Sequence, residues 1–340
     1  MNSKDSLNDE NLFFFDNFWH LLCHEKEVEK NNTFICIKHE PFDLILYNDQ
    51  NKLICFDNIC PHRGSKFVSK YTGKGPLVCP YHGFCYINGG LKTGKHKPLN
   101  KVNISLKKFK FEKIGKFIFF SINPILNIKD QFDIDTINSL ELISENISYI
   151  FDYNQVNYEC SADLAIENAL EAVHVNIVHP NTLASLNLDK GEDKKIGSSS
   201  EWVSEIKNKK IVRAFDSISK LYGIIPNKYY KNIFLFPFSM ISSSGSISYS
   251  IQNFFPKKNN TTNFISRLYP DKKYFDNIKL AKNFFESTAK LNRQIFEEDA
   301  NICSMITKDK DQSKGTFLVE GEERLQWYRE AKQKFLQKLN

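Results

Sequence analysis

The chain has 340 residues, 41% of them hydrophobic and 25% charged, with 29 Phe and 14 Tyr; that suits about two globular domains and excludes a disordered, collagenous or coiled-coil chain. No apolar run approaches the roughly 18 residues of a membrane helix, and the opening MNSKDSLNDENL has neither the basic start nor the apolar core of a secretory signal, so a cytoplasmic location is expected. The net charge of +6 rests on 40 Lys and 6 Arg scattered along the chain, so neither a nucleic-acid nor a membrane partner is expected, and the eight Cys are expected to be thiols or metal ligands.

Taken in chain order, Leu12 to Lys30 reads as a helical or irregular lead-in. From Phe34 to Phe120 short apolar runs such as TFICIKH, FDLILYND and KFIFFSI alternate with turn residues, the pattern of a small antiparallel β-domain. A polar stretch from Asn123 to Glu145 reads as a crossover. Beyond it a strand-like run, ISYIFDYNQVNYEC, leads into a helical pattern over Ala162 to Val175, and a charged, Ser-rich loop is expected from Asp189 to Ser200. Strands are suggested at Phe234 to Phe238, Ser246 to Phe255 and Asn263 to Leu268, and amphipathic helices near Tyr274 to Ser304 and Val319 to Leu339. The grouping predicts an α+β chain divided into residues 1–125 and 126–340.

Two loops carry the densest chemistry of the first part. Cys60-Pro-His62-Arg-Gly64 is followed, after sixteen residues, by Cys79-Pro-Tyr-His82-Gly83. Each offers one thiol and one imidazole in a tight turn containing Pro and Gly. Four such ligands suit one tetrahedral zinc or a two-iron cluster, and zinc knuckles favour a wider Cys-x2-4-Cys bite. The loops resemble the Rieske iron–sulfur fold in residue type, order and separation. By that resemblance Cys60 and Cys79 hold one iron of a [2Fe–2S] cluster and His62 and His82 the other, with a reduction potential above that of all-Cys clusters.

The second part carries Glu167-Asn168-Ala-Leu-Glu171-Ala-Val-His174-Val-Asn-Ile-Val-His179-Pro180. On one continuous helix Glu167, Glu171 and His174 would share a stripe, with Ala165, Ala169, Ala172 and Val173 opposite; alone, that pattern also describes a solvated helix face. Pro180 fits a helix that has already ended, which lets His179 turn back towards His174. Two His and one distant carboxylate form the non-haem Fe(II) triad, and the late run Glu297-Glu298-Asp299 offers three adjacent acids that spacing cannot separate.

Together these features resemble the catalytic α-subunit of Rieske non-haem iron oxygenases over nearly the whole chain, in particular the shorter vanillate O-demethylase and dicamba monooxygenase-like branch. The resemblance implies an all-β Rieske domain followed by a helix-grip catalytic domain. Its Asn-x-x-(Asp/Glu)-x-x-His-x4-His motif falls on Asn168, Glu171, His174 and His179, with Asp299 as third ligand of a mononuclear Fe(II) and Glu298 as the fallback. Glu171 stands where many members have Asp, and would bridge His174 to a cluster imidazole of a neighbouring subunit in a head-to-tail homotrimer. The implied reaction is hydroxylation or oxidative demethylation of a small organic substrate, aromatic ones included, with O2. Ring cis-dihydroxylation and pure electron transfer by a Rieske protein are the alternatives. No Gly-x-Gly-x-x-Gly follows a strand and no plant-type Cys run is present, so a separate NAD(P)H-dependent reductase, with or without a ferredoxin, is implied.

The remaining features read as structural. The Gly89 to Lys95 run imitates a phosphate-binding loop, but His96 takes the place of the required Ser or Thr. Cys23, Cys36, Cys55, Cys85, Cys160 and Cys303 are expected to be buried thiols, and His20, His24, His39 and His96 structural imidazoles. Trp202, Phe234, Phe236 and Phe238 fit either a substrate cavity or ordinary core.

Overall fold

The computed structural model describes residues 3–40, 42–92, 104–274, 278–306 and 317–337. His96 and residues 93–95 of the phosphate-loop imitation lie outside them, while its first residues form a turn and the start of a strand. The first half is built of short antiparallel strands, β1 (His20–His24), β2 (Thr33–Ile37), β3 (Leu44–Asp49), β4 (Lys52–Asp57), β5 (Thr72–Lys74), β6 (Cys85–Ile87), β7 (Gly90–Lys92), β8 (Lys110–Ile114) and β9 (Phe117–Ser121). They form a sheet ordered β4-β3-β2-β5, a β1-β9-β8 sheet and a β6-β7 hairpin. Ile45, Tyr47, Ile54 and Phe56 gather the first sheet around Cys60 and Cys79, so the two loops stand on packed strands.

The second half is one seven-stranded antiparallel sheet of β10 (Asp152–Tyr158), β11 (Glu192–Ile196), β12 (Ser199–Glu205), β13 (Tyr229–Leu235), β14 (Ser239–Ser244), β15 (Ser248–Pro256) and β16 (Thr262–Pro270), ordered β10-β16-β15-β14-β13-β12-β11. Its helices are α2 (Ile128–Gln131), α3 (Ile134–Asn146), α4 (Ala162–Leu170), α5 (Val175–Val178), α6 (Lys209–Leu221), α7 (Ile278–Met305) and α8 (Glu323–Gln337). Strand periodicity splits the side chains between two faces. Ile233, Ile241, Tyr249, Ile251 and Tyr269 pack with β1, β9 and α3, while Phe234, Phe254 and Phe264 pack with α4, α7 and α8. The lead-in is the helix α1 (Ser3–Asn17), and it joins the second half: Phe14 meets Phe236 edge-on, and Asn11 donates to Asp163 at 2.9 Å.

Several expectations are corrected. The Asn123 to Glu145 crossover is helical, because Asp133 caps α3 through the Asp135 N–H and Leu140 anchors it in the core. The Asp189 to Ser200 loop is largely strand, since charged β11 is an edge strand, where alternation of apolar residues is not required. Helix α6 was not anticipated. The Ala162 to Val175 helix stops at Leu170: Glu171 is extended (φ −109°, ψ 154°), and only α5 follows before His179 and Pro180. Val173, Val175, Ile177 and Val178 are β-branched and favour helix weakly. Among the described residues no helix is long and apolar enough to cross a membrane.

Candidate active site

The two loops of the first half close alike. The Cys60 N–H donates to Ser65 O and the Gly64 N–H to Cys60 O; in the second loop the Cys79 N–H donates to Phe84 O and the Gly83 N–H to Cys79 O, all at 2.8 or 2.9 Å. Gly64 (φ +72°) and Gly83 (φ +70°) supply the left-handed turn that other residues adopt reluctantly. The consequence is a stacked set of four donors. Both thiols are buried, while His62 is exposed and His82 half-exposed with their Nδ1 atoms facing each other at 3.2 Å. Burial would raise the Cys79 thiol, but the Tyr81 and His82 N–H groups and the Cys60 and Ser65 side chains outweigh it and hold it below its usual range. The Tyr86 hydroxyl lies 3.3 Å from Cys60 Sγ; spacing alone gave no sign of that partner. Thiols inside and facing imidazole nitrogens outside are the donor set a [2Fe–2S] cluster with two histidines requires.

In the second half the chain break after α4 turns His174 and His179 towards α7. One ligand atom each of His174, His179 and Asp299 lies within 4.8 Å of the others. Both imidazoles use their nitrogens in the same way. His174 Nδ1 bonds Glu171, whose other oxygen accepts the His174 N–H at 3.0 Å, while Nε2 faces Asp299 Oδ1 at 3.6 Å. His179 Nδ1 donates to Glu298 Oε2 at 2.7 Å and Nε2 meets the same Asp299 oxygen at 3.0 Å. Burial works against charge on His174, yet Asp299 and Glu171 outweigh it and hold its pKa up at about 9. A surplus of acceptors over fixed positive charge is what a cation needs. Asn168 donates to Asp299 Oδ1 at 2.7 Å.

Of the expected site residues, Asn168, Glu171, His174, His179 and Asp299 are thus brought together. Glu298 does not face the centre of the triad: it takes His179 Nδ1, Thr182 Oγ1 (2.5 Å) and Gln294 Nε2 (3.1 Å). Glu167 points away, paired with Arg329 at 2.6 and 2.8 Å. Thr182 and Gln294 were missed, although the four-residue step from Gln294 to Glu298 on one helix could have suggested the second. A cavity of about 1100 Å³ opens on the triad between the sheet and α7. Trp202 lines it; Phe234, Phe236 and Phe238 are core.

The Rieske [2Fe-2S] domain family matches residues 18–107. Over 211 residues (54% of this chain and 43% of the relative) the sequence is 24% identical to the anthranilate 1,2-dioxygenase large subunit of Acinetobacter baylyi. Over 191 residues (51% and 40%) it is 27% identical to the glycine betaine monooxygenase oxygenase subunit of Chromohalobacter salexigens. Among solved structures, naphthalene 1,2-dioxygenase bound to phenanthrene aligns with a TM-score of 0.76 at 18% identity, covering 97% of this chain and 89% of that one. The quaternary ammonium Rieske monooxygenase CntA with L-carnitine aligns at 0.72 and 18%, covering 96% and 91%. This chain has the Rieske oxygenase fold. In sequence it spans about half the length, or less, of the curated relatives it matches. The four donors of the loops fit the Rieske cluster, and the two Nε2 atoms with Asp299 fit a mononuclear iron with one side open to the cavity.

Proposed function

We propose that the protein is the terminal oxygenase component of a multi-protein system, hydroxylating or oxidatively demethylating a small organic molecule with O2 and electrons from a separate NAD(P)H-dependent reductase, directly or through a ferredoxin. The observation that supports this best is the cavity of about 1100 Å³ that meets His174, His179 and Asp299. A protein that only carried electrons would have no use for either. When bound, the cluster would deliver single electrons and the iron would bind O2 beside the substrate. The chain's own residues then have separable tasks. Glu171 and Glu298 hold the two imidazoles by Nδ1 so that both Nε2 atoms turn inward, Asn168 holds Asp299, and the cavity walls exclude bulk water and orient the substrate carbon.

Domains of 1–125 and 126–340 and a head-to-tail homotrimer belong to the same proposal. The loop tips expose His62 and Tyr81 (61%), and the segment around Glu171 exposes Val173 (49%) and Ile177 (83%). Such surfaces suit a ring in which the loops of one copy meet the Glu171 segment of the next. The test is iron content with light scattering and O2 uptake. The expected result is three irons per chain, a threefold mass, and O2 uptake that starts only when a substrate is added to the reduced protein. Two irons per chain without O2 uptake would refute it.

A further inference from the structure

The cavity is polar on both sides. Its floor, formed by the sheet, sets Asn232 opposite Ser242 and adds Gln252 from β15. Its α7 wall carries Ser287, Thr288 and Asn292 beside Leu291 and Ile295. Several of the donors here are already committed. Ser287 Oγ donates to Asn283 O at 2.8 Å and Thr288 Oγ1 to Phe284 O at 3.0 Å, which leaves their lone pairs. Gln252 Nε2 donates to Ser242 Oγ at 3.1 Å, while its Oε1, on a residue only 7% exposed, accepts nothing among the described residues. What the lining offers a guest is weighted towards acceptors.

Charge points the same way. Outside the iron site the cavity is lined by Asp189, Asp193, Glu320 and Glu323 against Lys190 and Arg324. Lys190 engages Glu320, and Asp189 has Lys207 at 3.3 Å. Arg324 donates to Ser200 Oγ (3.0 Å) and Asn232 Oδ1 (2.9 Å) and stands 4.0 Å from Asp193. Glu323, in the first turn of α8, accepts the Gly321 N–H at 3.0 Å and is paired with no cation among the described residues. Burial pushes the Asp193 carboxyl up, Arg324 pulls it back only in part, and Glu323 adds to the rise. Asp193 and Glu323 are thus a carboxylate pair short of positive charge. They stand beside Arg324, which reaches Leu170 O, one residue before Glu171.

The rings of the lining do not supply the other way to hold a cation, an open aromatic cage. Gly191 and Tyr230 pack on Trp202, with the Trp202 and Tyr230 rings 5.8 Å apart at 63°, and Lys195 Nζ already stands 5.9 Å over Trp327. A cation here is held through hydrogen bonds to oxygen.

We infer that the substrate is a protonated amine that keeps at least one N–H, its nitrogen seated against Asp193 and Glu323 and its other donors directed to the lone pairs of the floor and of α7. This deepens the oxygenase reading and rests on it. A quaternary ammonium, the class named for the structural neighbour CntA, has no N–H to give.

The test is calorimetric binding to the metal-loaded protein near neutral pH with two probe series, each of constant skeleton. One is benzylamine, N-methylbenzylamine, benzyltrimethylammonium, benzyl alcohol and benzoate; the other is ethanolamine, N-methylethanolamine, choline, ethylene glycol and glycolate. The primary and secondary amines are expected to bind tightest in whichever series binds. Glu323→Gln should weaken them about 2- to 5-fold and Asp193→Asn, whose carboxylate is the less exposed, about 5- to 10-fold, with the cluster absorbance unchanged. The inference is overturned if a quaternary, neutral or acidic probe binds tightest in either series, if no amine binds, or if either variant leaves amine affinity unchanged. O2 uptake recorded in parallel separates the two claims. Amines that bind tightest while no probe provokes uptake refute the oxygenase reading alone, and a quaternary, neutral or acidic probe that binds tightest and is consumed refutes the substrate class alone.

Discussion

Replacing Glu298 should weaken iron binding without abolishing it, in an order set by what each substitution leaves behind. Its Oε2 accepts two hydrogen bonds, from His179 Nδ1 at 2.7 Å and Thr182 Oγ1 at 2.5 Å, and its Oε1 accepts one from Gln294 at 3.1 Å. The His179 ring is buried, so without Glu298 its Nδ1 has no solvent to turn to and the ring loses the bond that keeps Nε2 aimed at Asp299. Outer partners of metal-binding histidines typically contribute about 10- to 100-fold in metal affinity. Glu298→Ala should fall in that range, about 1.4–2.8 kcal/mol. Glu298→Gln can still accept from Nδ1 but lacks the charge that about doubles such a bond, and should cost roughly 3- to 10-fold. Thr182→Val removes one of the two bonds holding Oε2 and should cost about 2- to 5-fold. The assay is Fe(II) titration against a competing chelator in cluster-replete protein, with the cluster absorbance as internal standard. Were Glu298 itself the third ligand, Glu298→Ala would empty the site and Asp299→Ala would retain iron. That outcome, or an unchanged affinity in Glu298→Ala, refutes the positioning argument.

At saturating Fe(II), Glu171→Gln and Glu171→Ala should leave both metal centres loaded while slowing turnover at least tenfold, because the carboxylate holds His174 as Glu298 holds His179, so that its loss lowers iron affinity although it is not itself a ligand; stopped-flow reoxidation of the cluster checks this, and normal turnover would refute it. Tyr86→Phe should lower the cluster potential by about 40 mV, the equivalent of one hydrogen bond of about 1 kcal/mol lost from Cys60 Sγ, measured by redox titration with optical detection. His39 is buried against Phe15 and Phe42 with neither ring nitrogen bonded among the described residues, and burial lowers its pKa to about 3. Below the ordinary value near 6.5 the unfolded chain takes up this proton and the folded one does not, so stability falls as pH drops from 6.5 towards 3, by up to about 1.4 kcal/mol per pH unit. His39→Leu should therefore raise the urea midpoint more at pH 5 than at pH 7.5; an equal change at both would refute it. Lys332→Met should destabilise the protein by about 3–5 kcal/mol by stranding the buried Asp163, and adding Asp163→Asn should restore most of the loss in thermal denaturation.

The cluster loops were legible in the sequence because their information is local. Cys60, His62 and Gly64, like Cys79, His82 and Gly83, occupy one turn each, and the turn geometry follows from the residues in it. His174 and His179 were legible for a partly wrong reason. A continuous helix put Glu171 and His174 on one stripe together with Glu167, whereas the chain breaks at Glu171 and sends Glu167 to Arg329. The five-residue step between the histidines carried over because a short turn ending at Pro180 brings them together whatever precedes it. The choice between Glu298 and Asp299 was closed to the sequence, since adjacent helix residues differ by about 100° in direction and only the position of α7 against α4 decides which points inward. The cavity floor was equally hidden: Ser242, Ser250 and Asn232 become neighbours through strand register across residues 199–270.

The triad too is drawn from segments far apart in the chain. The histidines and Glu171 end or follow α4, while Asp299 and Glu298 sit on α7, more than a hundred residues later, and the two helices pack against each other on one face of the sheet. The far side of α4 is tied down by α8, where Arg324 reaches Leu170 O, Arg329 grips Glu167 and Lys332 pairs with Asp163. Each of these bonds fixes one turn of α4, so the helix end from which Glu171 departs cannot shift without stranding a charge. Buried ionic contacts of this kind add little net stability over apolar packing, but they tolerate few alternative positions. The polar residues between α4 and α8, which a reading based on hydrophobic stripes treats as solvated surface, are therefore what sets the position of the Nε2 atoms opposite Asp299.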